Sequence, residues 1–165
     1  MFIRFPFSVF VLLLLIVAAC REPPDYPDEP VIEFVGMNKS TMVQGQLNND
    51  QLQMTISFTD GDGDLGSNNN EDSTKVYLID PRYDPPLTTT VTIPLVPELG
   101  TGNGISGEMT FRVFNSCCIY PGLPITCEPY EGYPTDTIVY SIYIIDRKGN
   151  KSNVIQADPV VLLCQ

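Results

Sequence analysis

Apolar and polar residues alternate with a period of two in short runs along this chain. Between residues 51 and 60, "QLQMTISFTD", Leu52, Met54, Ile56 and Phe58 fall on one side of an extended backbone. Gln53, Thr55, Ser57 and Thr59 fall on the other. Between 137 and 146, "TIVYSIYIID" sets Ile138, Tyr140, Ile142 and Ile144 against Val139, Ser141, Tyr143 and Ile145. A period of two marks a strand with one buried face. Runs rich in Val, Ile, Thr, Tyr and Phe recur at 31–36, 74–80, 88–94, 107–114 and 153–163, separated by Gly, Pro, Asn and Asp clusters. No long stretch carries a helical period with caps. The pattern predicts an all-β fold, an immunoglobulin-like (fibronectin III-like) antiparallel β-sandwich of about seven strands. A small barrel or jelly roll is the alternative. "DRKGN" (146–150) is a turn signal joining the last two runs as a hairpin. In such a sandwich, the loop after the second strand and this hairpin meet at one end. The long connection 115–136 then lies at the opposite end.

The loop after the second strand changes the picture from fold to chemistry. In "FTDGDGDLGSNNNED" (58–72), Asp60, Asp62 and Asp64 alternate with Gly61 and Gly63. Three carboxylates a residue apart repel one another unless something positive sits among them. Counting Asp60 as the first loop position, Gly66 offers a carbonyl at the seventh, Asn68 stands at the ninth and Glu71 at the twelfth. Hard oxygen donors at that spacing are those of a calcium loop. The EF-hand itself does not fit, because Leu65 takes its glycine position and strands replace its helices. Asp146 and Asp80 are further candidates, if the loops cluster as argued. The expected cofactor is a structural calcium ion, with magnesium disfavoured because it keeps its waters. An acidic turn without an ion is the competing reading.

The N-terminus bears on location. Met1 to Arg4 carries one positive charge, "FPFSVFVLLLLIVAA" is apolar, and Cys20 follows at once. This run is shorter than the ~20 residues of a membrane span and ends in small residues, so it predicts a signal peptide over 1–19. "VAAC" (17–20) resembles the lipobox of bacterial lipoproteins, which implies cleavage before Cys20 and acylation of that residue, palmitate included. Several acyl chains give stable membrane anchoring. "REPPDYPDEP" then reads as a Pro-rich acidic tether, 20–30, ahead of a single domain over 31–165. Acidic residues just after the lipidated cysteine also resemble the surface-export signal of Bacteroidota lipoproteins. The expected location is therefore the outer membrane, at the cell surface or on the periplasmic face.

A net charge of −11 disfavours nucleic acid as a partner, since phosphate binding needs clustered Lys and Arg. The sequence contains no histidine, which removes Ser-His-Asp and Cys-His catalysis and every His-ligated metal site. The favoured function is a non-catalytic binding or structural module with a glycan or protein ligand. Tyr120, Tyr130 and Tyr133 offer either a contact surface or cover for a core edge. The alternative is a small carboxylate-dependent hydrolase, a glycosidase or esterase, which needs two carboxyl groups held ~5–10 Å apart across a cleft.

Besides Cys20 there are Cys117, Cys118, Cys127 and Cys164. In an exported chain an even set predicts disulfides. Adjacent cysteines seldom bridge each other, so Cys127 and Cys164 each pair with one of Cys117 and Cys118, in an order the spacing leaves open. A four-thiolate zinc site lacks its two C-x-x-C knuckles.

"ISFTDGDGDLG", an Asp ending the next strand and "YSIYIIDRKGNKSN" together resemble a group of uncharacterised Bacteroidota lipoproteins. These pair an F-x-D-G-D-G-D-[IL]-G segment with D-x-x-G-N-x-S near the C-terminus. Phe58, Asp60 to Gly66, Asp146, Gly149, Asn150 and Ser152 carry the match. The resemblance implies an exported Ig-like domain and no settled activity.

Overall fold

The alternating run at 51–60 forms a strand along its whole length, and every residue of its apolar side is buried. The computed structural model describes residues 25–67, 74–97 and 104–165. The predicted signal peptide and Cys20 lie outside the described residues. Among those described there is no helix, and ten strands occur. In chain order they are β1 (Val31–Met37), β2 (Thr41–Val43), β3 (Gln51–Asp60), β4 (Lys75–Asp80), β5 (Leu87–Thr92), β6 (Ile105–Phe114), β7 (Thr135–Ile138), β8 (Ser141–Ile145), β9 (Ile155–Gln156) and β10 (Val160–Leu163).

One sheet runs β1-β3-β6 and a second runs β5-β4-β8-β9, all antiparallel. A third, small sheet runs β2-β10-β7, with β2 parallel to β10. Their inward faces share one core. Ile32, Leu52, Met54 and Ile56 from the first sheet, Val76, Leu78, Ile142 and Ile144 from the second, and Met42, Ile138, Val160 and Leu162 from the third belong to one buried cluster. The chain is therefore an all-β sandwich. Burying each such side chain stabilises the fold by about 1.5–3 kcal/mol. On the outer face Tyr143 stacks on Tyr77 across the β4–β8 pair, ring centroids 4.6 Å apart.

Two expected strands are each divided in two, so the count exceeds seven. The run 137–146 breaks at Val139 and Tyr140, leaving β7 in the third sheet and β8 in the second. The run 153–163 breaks between β9 and β10 at residues that include Pro159, which has no N–H for a ladder. Strand β2, with three residues, carries too little pattern to be recognised from sequence.

Antiparallel registers place the two ends of the sandwich. Asp60 pairs with Ile105 while Gln51 pairs with Phe114, so the end of β3 and the cysteine-bearing segment after β6 lie at opposite ends. At the cysteine end Cys117 bonds Cys127, and Cys118 bonds Cys164. The first pair closes a local loop. The second ties the long 115–134 connection to the end of β10. Tyr120 is 2% exposed, and the rings of Tyr130 and Tyr133 lie 4.8 and 5.3 Å from its own. These tyrosines cover a core edge.

Candidate metal centre

Asp60 closes β3 and is held by the ladder to Ile105. Its side chain faces the same way as Leu52, Met54, Ile56 and Phe58, so the alternation that buries the core also buries this carboxylate completely. The chain then turns sharply. Gly63 takes a φ of +72°, a conformation side-chain-bearing residues rarely adopt. Leu65, fully buried, plugs into the core, and its N–H donates to Asp60 Oδ2 at 3.0 Å. Leucine at the EF-hand's glycine position is thus an anchor for the loop.

This turn brings Asp60, Asp62 and Asp64 together. Asp146, from the turn after β8, joins them because Lys75 at the start of β4 pairs with Ile145 at the end of β8. One carboxylate oxygen from each of the four lies within 4.8 Å of the others. Oδ1 of Asp60, of Asp62 and of Asp64 is buried and accepts no hydrogen bond. Buried acceptors without donors are rare and destabilising, and these three oxygens lie in a group that could hold a cation. Burial first, then the charges of Asp62, Asp64 and Asp146, pushes the Asp60 carboxyl up to about 6. Burial and the charges of Asp146 and Asp62 likewise raise Asp64. Hard oxygen donors converging on one point suit calcium, whose shell takes six to eight oxygens from carboxylates, carbonyls and water.

Neighbouring groups hold the cluster from three directions. Asn150 donates to both oxygens of Asp146, from N to Oδ1 and from Nδ2 to Oδ2, each at 2.8 Å. A carboxylate has about four lone-pair sites, so Asp146 keeps capacity for an ion. Ser152 Oγ accepts from Ile144 N at 3.0 Å, so the D-x-x-G-N-x-S segment works as a hydrogen-bonded turn. Lys148 Nζ donates to Asp62 Oδ2 at 2.5 Å, and this contact raises the lysine's pKa. From the N-terminal side, Gly61 N donates to Pro27 O at 2.8 Å. A Cβ on Gly61 would sit 2.2 Å from Tyr26 O, so only glycine allows this contact. The last part of the expected tether is therefore seated on the acidic loop.

Of the other expected ligands, Gly66 is buried, and its N–H donates to Thr74 Oγ1 at 2.7 Å. Asn68 and Glu71 lie outside the described residues. Asp80 does not join the cluster. It ends β4, whose first residue is the one beside Asp146, and Arg82 binds it at 2.6 Å. The sequence singled out Asn150 only as part of a resemblance, without its role in holding Asp146, and it did not point to Lys148 or the Tyr26–Pro27 seat. The basic pair in "DRKGN" was the available signal for Lys148, since an opposed loop of carboxylates needs a counter-charge.

No family model matches the chain, and no curated protein matches it by sequence. Among solved structures, a Niemann-Pick type C2 protein from Japanese carpenter ant aligns over 86% of this chain and 99% of that chain, at 10% identity and a TM-score of 0.38. At that level the likeness carries no argument about this chain's chemistry.

Proposed function

We propose that this chain is an exported envelope lipoprotein, anchored through acylated Cys20, whose immunoglobulin-like sandwich is clamped by a structural calcium ion and serves as a non-catalytic binding or structural module. The observation that carries the reading is the trio of buried, donor-less oxygens on Asp60, Asp62 and Asp64, with Asp146 facing them. An Ig-like assignment is supported by strand order. The orders β1-β3-β6 and β5-β4-β8-β9 parallel the orders A-B-E and C′-C-F-G of an immunoglobulin-like sandwich. The lipobox, the acidic tether and the paired cysteines support export and anchoring.

The hydrolase reading draws no support from the geometry. Among the described residues the converging carboxylates form one tight cluster, with an oxygen of each within 4.8 Å of the others, rather than a pair spaced across a cleft. The test is thermal melting of the mature protein in mild detergent, in EDTA and then in millimolar calcium. A calcium-dependent rise, lost when Asp60, Asp62 and Asp64 are all changed to Asn, supports the ion site. An unchanged melt overturns it. Radiolabelled palmitate incorporated by the wild type and lost on Cys20→Ser tests the anchor separately.

A further inference from the structure

The two principal sheets leave a seam open on one side. Strand β5 ends one sheet and β6 ends the other, and among the described residues neither has a partner on its outer edge. Between them runs a groove of about 840 Å³. Its floor includes Val76, Leu78 and Tyr140, which also belong to the core.

The walls of this groove are unusual. They comprise consecutive residues, Thr89–Pro94 on one side and Met109–Ser116 on the other. A strand that turns a face to a cavity contributes every second residue. Consecutive lining means that these strands turn their edges to it, backbone included. Ladder parity identifies which backbone groups are free. Asn115 N donates to Asp50 O and Ile93 N to Thr74 O. In an antiparallel ladder, bonded and non-bonded pairs alternate from there. Thr110, Arg112 and Phe114 on β6, and Thr88, Thr90 and Thr92 on β5, therefore direct N–H and C=O away from their sheets.

We infer that this seam binds an extended peptide segment of a partner protein, added as a strand along the outer edge of β6. An acyl chain would fill the apolar floor but leave two rows of backbone donors and acceptors unpaired. A peptide satisfies them and sends alternate side chains onto the floor. The β6 edge lacks two of the usual protections against strand addition, proline and a bulge, and keeps only the exposed charges of Glu108 and Arg112. It contains no proline, and its ladder to β3 runs through ten pairs without a bulge. Charge favours a foreign partner over a second copy, because two chains of −11 repel each other; the charged residues lining the groove itself are Asp80, held by Arg82, and Arg112. The segment is accordingly one of alternating apolar and polar residues, from a partner whose net charge is positive. This deepens the binding-module reading and rests on it, but uses none of the ion-site residues.

The test selects binders from a displayed library of ten-residue peptides on the mature protein, then measures affinity and amide hydrogen exchange. Arg112→Pro removes an outward N–H that no internal ladder uses, so the fold tolerates it. Thr90→Pro does the same on β5. Expected are alternating apolar and polar sequences that slow exchange at Thr110, Arg112 and Phe114. Arg112→Pro should weaken them about tenfold or more, and Thr90→Pro should not. The calcium-dependent melt of the same samples reports on the ion site and on folding independently. The inference is overturned if no peptide binds at micromolar levels, if Arg112→Pro leaves affinity unchanged, or if those amides exchange freely in the complex. Concentration-dependent self-protection of the β6 edge without peptide would also overturn it, giving the seam to a second copy. So would palmitate displacing every selected peptide without protecting the amides, which would give the seam to a lipid.

Discussion

Replacing Asp60 by Asn should raise stability without calcium, and calcium should shrink or reverse that advantage. Without calcium, the Asp60 carboxylate is buried beside three others, and burial and their charges push its pKa up to about 6 from the ordinary 3.8. A shift of that size amounts to about 3 kcal/mol at neutral pH as an upper bound. Water reaches the cluster from the side of partly exposed Asp62, and screening reduces the figure to about 1–2 kcal/mol. Asp60→Asn removes this penalty. Its carbonyl oxygen can still accept from Leu65 N, and its amide group can donate to an orphaned oxygen of Asp62 or Asp64. Without calcium the variant should therefore melt higher than wild type by roughly 2–8 °C, taking about 2–4 °C per kcal/mol for a domain of this size. With 2 mM calcium and the ~10⁻⁴–10⁻³ M affinity usual for extracellular modules, wild type gains about 0.7–1.8 kcal/mol. The variant, short of one charged ligand, should gain little. Calorimetry of both proteins under both conditions decides it. A variant that melts lower than wild type in EDTA, and by the same margin in calcium, would show that Asp60 is only a hydrogen-bond acceptor for the loop and would refute the repulsion argument.

Because the folded pKa of Asp60 is raised, protons favour the folded ion-free state, so its contribution to stability grows as pH falls through about 6 towards the unfolded value near 4. Melts in EDTA across pH 7.5 to 4.5 should show that gain, and the calcium-dependent increment should shrink over the same range. Gly61→Ala drives a methyl group into Tyr26 O and should cost about 1–3 kcal/mol while releasing the segment 25–30, seen as faster exchange there. Replacing Cys118 and Cys164 together by Ser frees a loop of sequence separation 46 and should cost about 4 kcal/mol, against about 3 for the Cys117–Cys127 pair with its separation of 10. Urea unfolding of the two double variants gives that ranking directly.

The sequence by itself determined the local and periodic features. Alternation at Leu52 to Phe58 and at Ile138 to Ile144 set which side of each strand is buried, because the strand period is two and one face must leave water. The spacing of Asp60, Asp62 and Asp64 set the donor chemistry of the loop, because Gly61 and Gly63 let neighbouring carboxylates converge. What required the tertiary structure was every relation between distant segments. The breaks at Val139–Tyr140 and before Val160 arise where the chain crosses from one sheet to another, which a local pattern of apolar residues does not register. Choice between Asp146 and Asp80 as the fourth carboxylate depended on the register of β4 against β8, which sets one beside the loop and the other at the far end. The pairing of Cys118 with Cys164, and the seating of Pro27 on Gly61, likewise depended on which ends of the sandwich the chain brings together. Period and spacing are properties of neighbours in sequence. Register and chain crossing are properties of the packed core, so the structure alone decided them.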